Sequence, residues 1–151
     1  MERTRPDAPV VERPLLGVSV SVWRGGEVLL VRRGREPGRG LWAPVGGRVE
    51  FGDTLAAAAL REVAEETGVA CRLAGLSDIR EILLPDAAGV VRTHVVLAVF
   101  AAEWLSGEAV AGDDAEAVAW TRPDAFGRLR MVAGVEPYIL ATRRLVGGSA
   151  P

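Results

Sequence analysis

Three glutamates near the end of one predicted helix are the residues of this sequence best suited to chemistry. Glu62, Glu65 and Glu66 stand at i, i+3 and i+4, so a helix brings their carboxylates to one side. They also crowd the C-terminal end of the helix, where the dipole favours cations, at a cost of up to about 1 kcal/mol for each effect. A divalent cation would offset this repulsion. Oxygen ligands without cysteine or histidine favour Mg²⁺ or Mn²⁺ over Zn²⁺.

The helix that carries the glutamates is predicted from its two ends. Asp53 or Thr54 can cap its N-terminus, and Gly68 stands where a left-handed glycine would end it. The pair Gly46-Gly47 leads into a short loop before the helix. Taken alone, a glutamate-rich helix end is more often a solvated charged surface than a metal site, so the surrounding sequence must decide.

The stretch from Gly47 to Val69, GRVEFGDTLAAAALREVAEETGV, resembles the Nudix box. That motif is a glycine, five residues, a glutamate, seven residues and then R-E-U-x-E-E-x-G-U, with U aliphatic. Eight of its nine fixed positions are matched, and Asp53 stands where the family usually has glutamate. The matching residues are Gly47, Arg61, Glu62, Val63, Glu65, Glu66, Gly68 and Val69.

The resemblance implies roles for the residues of the box. It makes Glu62 and Glu66 the principal metal ligands, with Glu65 and the backbone carbonyl of Gly46 as further ligands. Arg61 is expected to orient Glu65 and the loop rather than to touch substrate. The general base would be Glu62 or an acid on a later loop, because family members differ on this point.

Residues outside the box are also candidates. In MutT-like relatives a carboxylate on the loop after the long strand approaches the metals, so we expect Asp114 to act there as ligand or base. Asp113, beside it, is assigned to substrate binding, and a solvated Asx turn is an equal alternative for this acidic pair. Arg32 and Arg33 end a strand near where relatives bind phosphate. One of them should face the site, because strand neighbours point to opposite sides.

Two acidic positions before the helix keep open assignments. Asp53 is one methylene shorter than the usual glutamate, so it would reach a metal only through water or serve only as a helix cap. Glu50 fits the G-G-x-x-E form found before the helix, and we weigh a role near the metal equally against an exposed loop carboxylate.

The elements that must position these residues follow from apolar patterning and turn residues. Strands are predicted over residues 15–24, 27–33, 41–45, 70–84 (one long strand or two broken ones), 91–104 and 116–121, with hairpins joining the first two and the fourth and fifth. Besides the main helix, a short helix starts at Pro123 and a final one covers residues 135–145. We therefore predict an α/β (α+β) fold with a mixed sheet between helices, and the resemblance implies the Nudix α/β/α sandwich. Residues 1–14 form a loose lead-in, 15–146 the single domain and 147–151 a tail.

Composition excludes several functions. The net charge is −2, and no broad basic field favours nucleic acid or an anionic membrane. There is no lysine, which excludes Schiff-base chemistry and a Walker A loop. Cys71 and His94 are each alone and cannot build a zinc site. Because no signal peptide or apolar run of about 18 residues is present, we expect a cytoplasmic protein.

The resemblance implies metal-dependent hydrolysis of a pyrophosphate bond in a small nucleotide. Pro85 lies sixteen residues beyond Val69, a spacing associated with ADP-ribose hydrolases. A hairpin turn alone would also account for the run Pro-Asp-x-x-Gly at this position. We rank ADP-ribose-like substrates first. A MutT-like nucleoside triphosphate pyrophosphohydrolase is second, although Val135 occupies the position of the base-reading asparagine. A Nudix domain that senses a nucleotide without cleaving it is a third reading, and a homodimer is left open.

Overall fold

In the computed structural model, which describes residues 12–112 and 114–147, three strands precede the first helix and three follow it. The lead-in as far as residue 11, residues 148–151 and Asp113 lie outside the described residues. The strands are β1 (Leu15–Arg24), β2 (Glu27–Arg33), β3 (Trp42–Arg48), β4 (Ala70–Pro85), β5 (Val91–Ser106) and β6 (Ala115–Thr121). The α-helices are α1 (Leu55–Thr67) and α2 (Glu136–Thr142), and 3₁₀ turns cover Pro123–Arg128 and Arg143–Leu145.

The strands form one mixed sheet in the order β4-β5-β1-β3-β2-β6. Among the described strands, β1 and β5 form the only parallel pair. The predicted β1–β2 hairpin is correct only near its turn, where Trp23 and Arg24 pair with Val28 and Glu27, because β3 inserts between the two strands beyond it. The second hairpin is confirmed, and β4 is one long strand with four register shifts rather than two strands.

Helix α1 begins and ends as its sequence predicts. The Thr54 hydroxyl accepts a hydrogen bond from the Ala57 N–H at 3.0 Å, and Gly68 adopts the left-handed conformation with φ 71°. Thr54 is therefore the N-cap, and Asp53 is free for another role. The helix buries Ala58, Ala59 and Val63 against one face of the sheet.

The opposite face of the sheet is covered by the C-terminal part of the chain. Phe126, Val135 and Ile139 pack there on Trp23 and Leu30. Helices thus lie on both faces of the sheet, which confirms the predicted α/β class and α/β/α arrangement. The final helix is shorter than predicted, since α2 gives way to a 3₁₀ turn. No helix within residues 12–112 and 114–147 has both the length and the apolar character that crossing a membrane requires.

Candidate active site

The carboxylates of Glu62 and Glu66 lie against the backbone of β3. This strand runs three residues beyond its predicted end, as far as Arg48, and so includes Gly46 and Gly47. A Cβ atom added to Gly47 would overlap the Glu62 carboxyl group, and one added to Gly46 would lie 2.9 Å from the Val18 carbonyl oxygen. The two glycines therefore let α1 and β1 approach β3 closely, and they make room for the acidic side chains.

Both carboxyl groups are harder to ionise than usual. Burial raises the pKa of Glu66 to about 8, and the neighbouring charge of Glu62 adds to this effect. A backbone hydrogen bond from Gly46 and the charge of Arg33 oppose it. Burial likewise raises the pKa of Glu62, while Arg61 opposes that rise. Two acids that repel each other in a partly buried site are stabilised in their charged forms by a cation.

The donor set at this position fits a hard divalent cation. Within the described part of the chain, no three His, Cys, Asp or Glu side chains stand together as a ready ligand group. Mg²⁺, however, commonly binds through one or two carboxylates and completes its shell with waters and substrate phosphates. Glu62 and Glu66 can supply that pair. Glu65 is exposed and contributes its charge to the surroundings of Glu62.

Arg61 ties the loop before α1 to the helix. One of its nitrogens donates to Asp53 Oδ2 at 2.9 Å and to the Arg48 carbonyl oxygen at 3.1 Å. The same nitrogen lies 3.8 Å from Glu62 Oε1, and the other terminal nitrogen pairs with Glu50 Oε1 at 3.1 Å. The arginine therefore bridges the loop and the first of the two half-buried glutamates.

The contacts of Arg61 correct one expectation and show what Asp53 and Glu50 bind in the loop. The arginine orients the loop as predicted, but its described partners do not include Glu65. Asp53 also accepts a hydrogen bond from the Glu50 N–H at 3.2 Å, so its shorter side chain holds the loop instead of capping the helix. The Glu50 carboxylate is 71% exposed and forms an ion pair with Arg61.

Removing the Asp53 carboxylate should loosen this loop. We expect Asp53→Ala to lower kcat/KM roughly 10- to 100-fold, as changes to groups that orient metal ligands do, since Arg61 loses a charged partner beside Glu62. Asp53→Glu keeps the charge and should retain most of the activity. Steady-state kinetics at several Mg²⁺ concentrations measure both variants. An alanine variant as active as the parent would show that Asp53 does not position the site.

The loop between β5 and β6 docks on the C-terminal end of α1 through its backbone. The Gly112 N–H donates to the Glu66 carbonyl oxygen at 2.7 Å, and the Val110 N–H donates to Thr67 at 2.9 Å. These bonds satisfy carbonyls that a helix end leaves free. A Cβ on Gly112 would overlap the Glu65 carbonyl oxygen, so only glycine allows this approach. Sequence patterning gave no sign of this docking.

The docked loop brings Asp114 to the two half-buried glutamates. Its negative charge contributes to the raised pKa values of both Glu62 and Glu66. Its backbone carbonyl accepts a hydrogen bond from the Gly34 N–H at 3.0 Å, and its side chain pairs with Arg35 at 2.7 Å. Asp113, its predicted partner in the cluster, lies outside the described residues.

The two strand-end arginines point to different partners. Arg33 is the one whose charge reaches Glu66 and lowers its pKa. Arg32 instead donates to Glu116 at 3.2 Å. Arg35, which the sequence pattern did not single out, lies in the loop just after β2 and adds a second cation next to the acidic cluster.

Comparisons with known proteins agree with this geometry. The NUDIX domain family model matches residues 13–141. The ADP-ribose pyrophosphatase of Methanocaldococcus jannaschii is 34% identical over 103 residues, covering 68% of this chain and 59% of that protein. The chain therefore spans less than two thirds of this relative.

Solved structures give the same picture. A MutT NUDIX hydrolase from Burkholderia pseudomallei superposes with a TM-score of 0.75 at 28% identity, covering 86% of this chain and 98% of that one. A bifunctional NMN adenylyltransferase/ADP ribose pyrophosphatase from Francisella tularensis, complexed with AMP and a manganese ion, has a TM-score of 0.67 at 27% identity. That match covers 91% of this chain and 43% of the other.

Proposed function

The chain belongs to the Nudix family of hydrolases, and on that premise we propose that it cleaves the diphosphate of ADP-ribose or a close analogue in a divalent-metal-dependent reaction. The observation that carries this proposal is the pair of half-buried glutamates, Glu62 and Glu66, held against the Gly46-Gly47 backbone with raised pKa values. Carboxylates whose pKa values are raised in this way are stabilised in their charged forms by a cation, which can in turn bind a phosphate ligand.

Mg²⁺ or Mn²⁺ is the proposed cofactor. Glu62 and Glu66 would hold the ion, and Glu65 and the Gly46 carbonyl are the further ligands that the resemblance implies. When bound, the ion neutralises charge on the diphosphate oxygens and acidifies the attacking water. Waters and substrate phosphates would complete its shell, consistent with a protein that supplies few side-chain ligands.

The surrounding residues attract the phosphates, position the loop and accept the proton of the attacking water. Arg33, whose charge already reaches Glu66, attracts the phosphates, and Arg61 positions the loop and Glu62. Water attacks one phosphorus and the bridging P–O–P bond breaks. The proton of the water passes to Glu62 or to Asp114, both of which lie within the same acidic cluster. With ADP-ribose the products are AMP and ribose 5-phosphate.

The ranking of substrates rests on two observations. The curated relative is named an ADP-ribose pyrophosphatase. Val135, at the position expected to read an oxidised guanine, is 4% exposed and packs in the core, so it offers a base no hydrogen bond. Pro85 adds little, because it ends β4 at an ordinary hairpin turn closed by Asp86. A nucleoside triphosphate pyrophosphohydrolase is the second candidate.

A substrate panel tests the proposal. With Mg²⁺ or Mn²⁺ present, we expect ADP-ribose to be converted to AMP with the highest kcat/KM of a panel that also includes dinucleoside diphosphates and the nucleoside triphosphates. Separation of the nucleotides by ion-exchange chromatography identifies the bond that is cut. Chelation of the metal with EDTA should stop turnover, because the two carboxylates are themselves negative and cannot neutralise the charge of a diphosphate.

The outcomes of this panel separate the alternatives. Faster release of pyrophosphate from a nucleoside triphosphate would overturn the ranking but keep the hydrolase. Tight binding of ADP-ribose without turnover of any compound under either metal would favour a nucleotide sensor. Calorimetric titration with ADP-ribose distinguishes that sensor from a protein that does not recognise the compound.

A further inference from the structure

One carboxylate of β6 holds two arginines from different parts of the chain. Glu116 Oε2 accepts a hydrogen bond from Arg32 Nε at 3.2 Å, and Glu116 Oε1 accepts one from Arg39 Nε at 3.2 Å. Arg32 lies near the end of β2, and Arg39 lies in the loop between β2 and β3. We refer to these three side chains as the arginine clamp.

The arginine clamp lies on the other face of β2 from the acidic cluster. Neighbouring residues of a strand point to opposite faces, and Arg33 is the neighbour whose charge reaches Glu66. Arg32 pairs across the sheet with Trp42, which packs on the apolar cluster beneath α2. The Arg32 guanidinium carbon lies 5.9 Å from the centre of the Trp42 ring. The clamp is therefore a second group of charges, beside the proposed diphosphate site but separate from it.

The loop that carries Arg39 is fixed at its base by backbone hydrogen bonds. The Arg33 N–H donates to the Leu41 carbonyl oxygen at 2.8 Å, and the Gly40 N–H donates to the Arg33 carbonyl oxygen at 2.7 Å. Inside the loop, Arg33 Nε donates to the Pro37 carbonyl oxygen at 2.8 Å. Because both ends of the loop are held, Arg39 is already placed beside Glu116 before any ligand arrives.

Both arginines of the clamp keep most of their donors for another partner. A guanidinium group has five N–H donors in a planar fork. Across residues 12–112 and 114–147, Arg32 and Arg39 each donate only through Nε, and their terminal nitrogens make no hydrogen bond. The side chains of Arg32 and Arg39 are 42% and 65% exposed, against 32% for Glu116. The carboxylate thus lies deeper than the two cations, whose terminal nitrogens face the solvent.

The charges of the clamp do not balance. Two positive groups and one negative group leave a net charge of +1. Exposed ion pairs stabilise a protein little, and the two guanidinium groups repel each other. An anion with several oxygens would accept hydrogen bonds from both forks and offset the remaining positive charge.

We propose that the arginine clamp binds a phosphomonoester, in a site separate from the one that holds the scissile diphosphate. A phosphomonoester carries about two negative charges near neutral pH and has three terminal oxygens, which arginine forks bind in pairs. A phosphodiester has a single charge and fewer free oxygens, so it fits the clamp less well. The phosphomonoester has two possible sources: a phosphate on a ribose of the substrate, or a hydrolysis product such as AMP or ribose 5-phosphate.

Binding is tested on the metal-free protein in EDTA, so that the result does not depend on hydrolysis. Calorimetric titration should give a Kd for AMP roughly tenfold or more below that for 3′,5′-cyclic AMP, which has the same base and ribose but is a diester. Arg32→Gln and Arg39→Gln should each weaken AMP binding about tenfold or more, because each removes charged hydrogen bonds. Circular dichroism verifies that the variants fold.

Arg72→Gln is the matched control for these variants. Arg72 is 67% exposed and also pairs with a glutamate, Glu103, but it lies on β4 rather than beside the clamp. This variant should bind AMP as the wild type does. In ¹⁵N NMR spectra of the wild type, AMP should shift the Nε–H signals of Arg32 and Arg39 and leave that of Arg72 in place.

A comparison of substrates identifies the source of the phosphomonoester. A higher kcat/KM for 2′-phosphorylated ADP-ribose than for ADP-ribose, lost in Arg39→Gln, assigns the clamp to the substrate. Equal values, with inhibition by AMP that weakens in Arg39→Gln, assign it to a product. Should neither compound be turned over, calorimetry with adenosine 2′,5′-bisphosphate and AMP makes the same comparison by affinity.

Three results would overturn the inference: no binding of AMP, binding no tighter than that of cyclic AMP, or binding unchanged in both arginine variants. None of them bears on diphosphate hydrolysis, which is measured with metal present. Failure of the clamp proposal and failure of the proposed function are therefore distinguishable.

Discussion

Replacing Glu66 with glutamine is expected to lower kcat/KM for diphosphate hydrolysis roughly 10²- to 10⁴-fold. Glutamine keeps the size and the hydrogen-bonding oxygen but lacks the negative charge that would hold a divalent cation beside Glu62. Raising the Mg²⁺ concentration should recover only part of the loss. The assay is steady-state turnover of ADP-ribose across a metal titration.

The same substitution should stabilise the metal-free protein at high pH. The native Glu66 carboxyl keeps its proton up to about pH 8, whereas an ordinary glutamate in the unfolded chain loses it near 4.5. Between these values the unfolded state binds fewer protons, so the free energy of unfolding of the wild type falls as pH rises. Glu66→Gln removes that contribution. Near pH 8 the free energy of unfolding of the metal-free Glu66→Gln variant should exceed that of the wild type by on the order of a few kcal/mol at most.

Urea unfolding in EDTA at about pH 5 and about pH 8 measures this effect. The wild type should lose more stability between the two pH values than Glu66→Gln, and Mg²⁺ should restore stability only to the wild type. Glu65→Gln is the matched control, since Glu65 is exposed on the same helical turn. Equal pH profiles for wild type and Glu66→Gln would contradict the raised pKa of the half-buried Glu66 carboxyl group.

Gly47→Ala is expected to lower kcat/KM about 100-fold or more without changing the glutamates themselves. The added methyl group occupies the position of the Glu62 carboxyl group, so either that side chain or α1 must move. A displacement of about 1 Å at a catalytic group is enough for a loss of this size. Overpacking should also cost about 1–3 kcal/mol of stability.

Gly127→Ala provides the control for Gly47→Ala. A Cβ at Gly127 meets nothing within 4 Å, and its φ does not require glycine, so stability and turnover should stay near those of the wild type. Turnover and chemical unfolding are measured for both variants. Full activity in Gly47→Ala would show that the Glu62 carboxylate does not have to lie on this backbone for catalysis.

Local sequence was sufficient to predict the helix that carries the acids. The Thr54 cap, the left-handed Gly68 and the apolar face of α1 are decided by neighbours in the chain, so spacing alone places Glu62 and Glu66 one turn apart. The strands β1 and β2 were likewise predicted with their observed bounds. Their predicted pairing held only near the turn, because the insertion of β3 between them depends on a register set by distant residues.

Chain-local patterns thus determined the family, the class of fold and the identity of the acidic cluster. Only the tertiary structure decided which partners these residues meet. Arg61 binds Asp53 and Glu50 rather than Glu65, and Arg33 rather than Arg32 reaches Glu66. These contacts depend on loops docked through backbone hydrogen bonds and glycine close approaches, and residues far apart in the chain leave no periodic signal of such contacts.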